Sequence, residues 1–162
     1  RKQILTEPRA LLTEASRLPG LDGQKMSKSY GNAIALRDDK ETVTRKIRTM
    51  QTDPARVKRT DPGNPDKCPV WLFHVVYSDD ETKEWVRKGC CSAGIGCIQC
   101  KQPIIDAVVR ELEPMQERAA QYVAKPALVR EIVEHGCEKA RRLAGETMRD
   151  VREAMGLGYS GK

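Results

Sequence analysis

Gly20-Leu21-Asp22-Gly23-Gln24-Lys25-Met26-Ser27-Lys28-Ser29-Tyr30-Gly31-Asn32 brings two ammonium groups and two hydroxyls into residues 25–29, between glycines at 20, 23 and 31. A glycine-bracketed loop lets backbone N–H groups approach a ligand closely. Lysine adds a point charge on a flexible stem, suited to phosphate. The chemistry open to such a loop is stabilisation of charge on a transferring or leaving polyphosphate. Two lysines and two serines also occur in ordinary surface loops, so the surroundings decide between the readings.

Before the loop, Ile4, Leu5, Leu11 and Leu12 are punctuated by Pro8 and Pro19. Residues 8–12 read as a short buried strand or turn, too little to fold alone and expected to be the tail of a larger α/β domain. After the loop, Asp38 or Asp39 can cap a helix. Val43, Ile47 and Met50 then share one helical face. Arg45, Lys46 and Arg48 lie off that stripe, as a solvated basic face or as contacts for an RNA backbone. Pro54, Pro62, Pro65 and Pro69, with Asp61-Pro62-Gly63-Asn64-Pro65, make a turn-rich connector decorated by Arg56, Lys58 and Arg59. A helix is predicted over 69–78, opened by Pro69. Another follows from a cap at Ser78 or Asp79 to about Gly89.

Residues 89–100 are too rich in glycine and cysteine to be helical throughout. A long helix is predicted from about 102 to 124, with Ile105, Val108, Val109, Leu112 and Met115 on its stripe and a kink or break at Pro114. Pro126 opens a last helix, ended by Gly156 and Gly158, and the two long helices are expected to pair antiparallel. His74, Trp71 and Trp85 read as core residues and His135 as a surface residue.

The 162-residue chain suffices for one or two small domains with a real core. Its net charge of +6 permits nucleic acid as a partner without requiring it. The basic excess sits in residues 1–100, with 18 basic and 13 acidic side chains against 10 of each in 101–155. Aromatic content of 4% argues against a sheet that stacks bases. No signal peptide or membrane-length apolar run is present, so a soluble cytoplasmic protein is expected. The first residue is Arg1, not methionine, and the opening reads as the middle of a longer protein.

The pentapeptide Lys25-Met26-Ser27-Lys28-Ser29 resembles the second signature loop of class I aminoacyl-tRNA synthetases. Leu18-Pro19-Gly20-Leu21-Asp22-Gly23, Tyr30-Gly31-Asn32, Thr52-Asp53-Pro54, Asp61-Pro62-Gly63-Asn64-Pro65 and Cys68-Pro69-Val70 extend the resemblance to the bacterial tryptophanyl-tRNA synthetases. The related tyrosyl enzymes fit the proline-rich connector less well. The resemblance implies a mainly α fold: the end of a Rossmann-type α/β catalytic domain over 1–36, then a helical anticodon-binding domain over 37–162. It implies a ligase that activates tryptophan with ATP and Mg2+ and transfers it to tRNA(Trp), as a homodimer at full length. Lys25 and Lys28 would be catalytic, and Lys25, Met26, Ser27, Lys28 and Ser29 would bind ATP.

The family's His-rich first signature is not found, the histidines being His74 and His135, so the chain alone is expected to be inactive. A stand-alone metal-containing RNA-binding module is the competing reading.

Six cysteines stand at 68, 90, 91, 97, 100 and 137, a crowding that points to metal rather than disulfides in a cytoplasmic protein. Cys68, Cys90, Cys97 and Cys100 can converge on one centre, and a four-cysteine set suits zinc and iron–sulfur clusters alike. The resemblance implies a 4Fe-4S cluster, because a subset of the bacterial enzymes carries one on Cys-x6-Cys-x2-Cys plus an upstream cysteine before Pro-Val. Cys91 fits that spacing less well, and Cys137 reads as a buried thiol.

Overall fold

The computed structural model describes residues 3–13 and 16–157. The fold is mainly helical, as expected. Five helices follow one another: α1 (Lys40–Thr49), α2 (Pro69–Tyr77), α3 (Asp80–Cys91), α4 (Cys97–Ala124) and α5 (Pro126–Ala154). Two short 3-10 turns, Lys28–Tyr30 and Pro65–Lys67, precede α1 and α2 respectively. Among the described residues no strand forms, and a single antiparallel bridge joins Pro19 to Lys25. The chain divides into two compact units, Leu12–Arg118 and Arg1–Leu11 with Ala119–Lys162.

The caps explain where the helices begin. Asp39 accepts the Thr42 N–H at 2.7 Å and Asp79 accepts the Thr82 N–H at 2.8 Å. Each satisfies one of the donors that a helix start leaves free. Pro69 opens α2, where its missing N–H costs nothing. α3 runs to Cys91, two residues past the expected end, and so carries Cys90 and Cys91 in its last turn.

The core of the first unit is built by α1 (Val43, Ile47), Met50 just beyond it, α2 (Val70, Phe73) and α4 (Ile104, Ile105, Val108, Val109, Leu112). α4 starts five residues earlier than the pattern suggested and continues through Pro103 and Pro114. A proline inside a helix costs about 3 kcal/mol. The five buried apolar side chains of α4 each recover roughly 1.5–3 kcal/mol, so the stripe outweighs the interruptions at Pro103 and Pro114.

Other expectations are corrected. Residues 8–12 form no element, and Leu11 and Leu12 are exposed. Trp85 is exposed rather than core. In the second unit α5 has no buried residue, and its apolar Val129, Ile132, Val133, Leu143 and Met148 are exposed. Cys137, expected to be buried, is exposed on the same helix. Gly156, at φ +70°, ends α5; Gly158 lies outside the described residues.

Candidate functional site

Two sites stand out, both within the unit Leu12–Arg118. The first is the loop. The Pro19–Lys25 bridge closes its base, and Gly23 N–H donates to the Gly20 carbonyl at 3.0 Å. Gly23 holds φ +76° and Gly31 φ +67°, the left-handed region that side chains disfavour. Met26 packs against the core, giving the loop a fixed seat. From that seat Lys25, Lys28 and Ser29 face solvent. Among the described residues neither ammonium is paired with a carboxylate. Ser27 and Ser29 lie hydroxyl to hydroxyl at 2.8 Å. A cleft of about 530 Å³ lies beside the loop, lined by Arg17, Pro19, Gln24, Lys25, Met26 and Leu72 among others. Two cationic stems, two hydroxyls and an adjoining cleft can receive an anionic, phosphate-rich ligand.

The second site gathers cysteines from four stretches of chain. Cys68 precedes α2, Cys90 lies in the last turn of α3, and Cys97 and Cys100 occupy the first turn of α4. Each of these four sulfurs lies near enough to the other three for one thiolate to oppose ionisation of another. Cys91 is exposed and acts in this way on Cys90. Gly63 admits Cys90 to the cluster: a Cβ there would stand 2.6 Å from the Cys90 sulfur. Burial raises the pKa of Cys68 and Cys90 and pushes Cys100 up to about 12. No set of three or more His, Cys, Asp or Glu side chains among the described residues stands at the spacing of a single metal ion.

Three nitrogen-bearing side chains lie in the neighbourhood of these thiols. His74, fully buried as expected, places Nε2 3.3 Å from the Cys100 sulfur, while Nδ1 meets the Ser78 hydroxyl at 2.8 Å. Burial lowers its pKa to about 4, so the ring is neutral at pH 7. Lys101 is 3% exposed and donates to the carbonyls of Arg48 at 2.8 Å and Met50 at 2.5 Å. Burial lowers its pKa, and thiolates at Cys97, Cys68 and Cys100 would oppose that shift. Arg56, expected to decorate the connector, is buried. It donates to the carbonyls of Arg59 at 2.9 Å and Ile95 at 2.7 Å, points Nη1 at the Cys90 sulfur at 3.9 Å, and leaves its buried Nε without a partner among the described residues.

Sequence reading missed Lys101 and Arg56 as members of this site. The signal for Lys101 was present: it falls between Cys97 and Ile104–Ile105 on the buried face of α4, where a charge needs a reason. Arg56 carried no such sign, because no periodicity governs a proline-rich connector. The role of Asn32 as the loop's hydrogen-bonding centre was also missed. Lys46, read as part of a basic face, is occupied by Asp38 at 2.6 Å and the Ala33 carbonyl at 2.9 Å.

The comparisons place this helical chain in one class of synthetase. The family model described as "tRNA synthetases class I (W and Y)" matches residues 1–125, and the chain belongs to that family. Among its relatives is the tryptophan–tRNA ligase of Ralstonia nicotianae, 66% identical over 160 residues, covering 99% of this chain and 40% of that protein. The Thermotoga maritima tryptophan–tRNA ligase is 43% identical over 156 residues, covering 96% of this chain and 48% of that one. The crystal structure of tryptophanyl-tRNA synthetase from Campylobacter jejuni complexed with ADP and tryptophan superposes with a TM-score of 0.70 at 28% identity. It covers 95% of this chain and 48% of that one. The chain thus spans less than half the length of the curated relatives it matches.

Proposed function

We propose that the chain is a working part of a tryptophan–tRNA ligase, which activates tryptophan with ATP and Mg2+ and transfers it to tRNA(Trp). The observation that carries this reading is the intact loop Lys25-Met26-Ser27-Lys28-Ser29, seated on the core through Met26 with both ammonium groups exposed. The tryptophan–tRNA ligases above support tryptophan over tyrosine as the amino acid. Residues 1–36 would end the catalytic domain, and residues 37–162 would form the anticodon-binding domain of a cytoplasmic homodimeric enzyme. Among the described residues no helix is long and apolar enough to cross a membrane.

Lys25 and Lys28 are the catalytic groups in this reading. Their charges offset the negative charge that builds on pyrophosphate as the adenylate forms, and Ser27 and Ser29 add hydrogen bonds. Help that peaks in the transition state appears in kcat rather than in ATP affinity. In the longer enzyme containing this chain, Lys28→Ala should lower kcat for tryptophan-dependent ATP–pyrophosphate exchange by about 100- to 1000-fold, with KM for ATP changed less. Unchanged exchange kinetics would overturn the assignment. The 162-residue chain alone should show no exchange.

We further propose that Cys68, Cys90, Cys97 and Cys100 hold a 4Fe-4S cluster. The donor set suits it: four thiols, of which burial raises the pKa of Cys68, Cys90 and Cys100, beside two buried cations with no carboxylate ion pair among the described residues. Buried charges call for compensation, and thiolates on a metal centre supply it. When bound, the cluster would supply a rigid anionic junction between α2, α3, α4 and the connector. Anaerobic purification with visible absorption and iron, sulfide and zinc analysis tests this. A colourless protein with one equivalent of zinc, or with no metal, would overturn it.

A further inference from the structure

Asn32 is 4% exposed, yet it is bonded almost entirely to the loop that carries the signature. Its side-chain amide donates to Asp22 Oδ1 at 2.8 Å and to the Lys25 carbonyl at 3.1 Å. Its side-chain carbonyl accepts the Ser27 N–H at 2.7 Å, and its backbone carbonyl accepts the Leu21 N–H at 2.9 Å. Both donors of the amide are thereby used. Asp22 also accepts the Gln24 N–H at 3.0 Å. The Asn32 amide, ahead of that N–H, holds the Asp22 carboxyl below the usual carboxylate range. Gly20 makes room for the arrangement: a Cβ there would lie 2.3 Å from the Asn32 side-chain nitrogen.

We propose that Asn32, held by Asp22 and admitted by Gly20, is a positioning residue that fixes the backbone of residues 25–29 for catalysis. The proposal rests on the reading of that loop as the ATP-polyphosphate loop. The bonding pattern divides the labour. The Lys25 carbonyl and the Ser27 N–H are taken by Asn32, so they are spent on holding shape. The two ammonium stems and the Ser27 and Ser29 hydroxyls are left to meet phosphate. The seven- and five-residue spans from Asn32 to Lys25 and Ser27 pin the segment at two points just before Lys28. Met26 between those points is packed on the core, so the loop is held from both sides. An aspartate at 32 would set one carboxylate against another and lose both donors. An alanine would leave the Lys25 carbonyl and the Ser27 N–H to water.

The test uses the longer enzyme containing this chain. Asn32→Ala should lower kcat for pyrophosphate exchange by about 10- to 100-fold, the scale of a catalytic group displaced by about 1 Å. KM for tryptophan should stay within about twofold, and the Ser27 amide should lose hydrogen-exchange protection. Asp22→Asn keeps an oxygen to accept the Asn32 amide and should lose less kcat than Asp22→Ala, a ranking that a role in general folding would not produce. This pair also serves if Asn32→Ala does not fold. Wild-type kcat in Asn32→Ala, or equal effects of Asp22→Asn and Asp22→Ala, would overturn the proposal whenever Lys28→Ala is impaired. An unimpaired Lys28→Ala would instead overturn the reading of the loop.

Discussion

At position 101 the face of α4 that carries Ile104, Ile105 and Val108 holds an ammonium group in place of an apolar side chain. Lys101 ties the start of α4 to the carbonyls of Arg48 and Met50 at the end of α1, and its charge lies beside the four-thiol cluster. Lys101→Met keeps the stem and removes the donor. It should cost about 1–3 kcal/mol, the penalty for buried acceptors left unmade. Urea denaturation, with metal content measured alongside, reads this directly, and an unchanged midpoint would mean that water replaces the ammonium. Lys101 and Arg56 share a reason for escaping a reading of the sequence. Periodicity states which face a residue occupies, but not which distant group it will meet. The partners of Lys101 lie 51 and 53 residues away, and the Ile95 carbonyl lies 39 residues from Arg56.

The helices themselves were largely legible, because their starts are written in local chemistry. Asp39 and Asp79 cap α1 and α3, Pro69 and Pro126 open α2 and α5, and the α4 stripe at 105, 108, 109 and 112 is buried. The ends were less legible. α3 gained Cys90 and Cys91, and α4 took in Cys97 to Lys101, because tertiary packing and the thiol cluster govern those turns. The Asp39 cap makes a pH-dependent prediction. The Thr42 backbone N–H, its largest influence, lowers the folded pKa of Asp39 below the ordinary carboxylate value. Its contribution is therefore present above the unfolded carboxylate range and is lost as pH falls through the folded value. Asp39→Ala should lower Tm at pH 7, and the gap from wild type should close as the pH is lowered through the depressed folded value. A gap that persists below that value would show that the cap acts without its charge.

Across the whole molecule, the unit Leu12–Arg118 holds the buried core and both sites, whereas α5 in the second unit holds no buried residue. The sequence pattern could not reveal that contrast, because an apolar stripe looks the same whether or not something covers it. The same contrast runs through the glycines. Gly20 lies against the Asn32 amide and Gly63 against the Cys90 sulfur, while an added Cβ at Gly136 or Gly145 in α5 meets nothing within 4 Å. Gly136→Ala and Gly145→Ala should each stabilise the helix by about 0.8–1 kcal/mol, seen as a higher far-ultraviolet helical signal and a later thermal melt of α5. A saturation library selected for function should therefore return two opposite spectra. Positions 20 and 63 should come back almost purely as glycine, whereas 136 and 145 should drift to alanine and other helix formers. One residue type would thus be nearly invariant where it makes room for a neighbour and replaceable where it only weakens a helix.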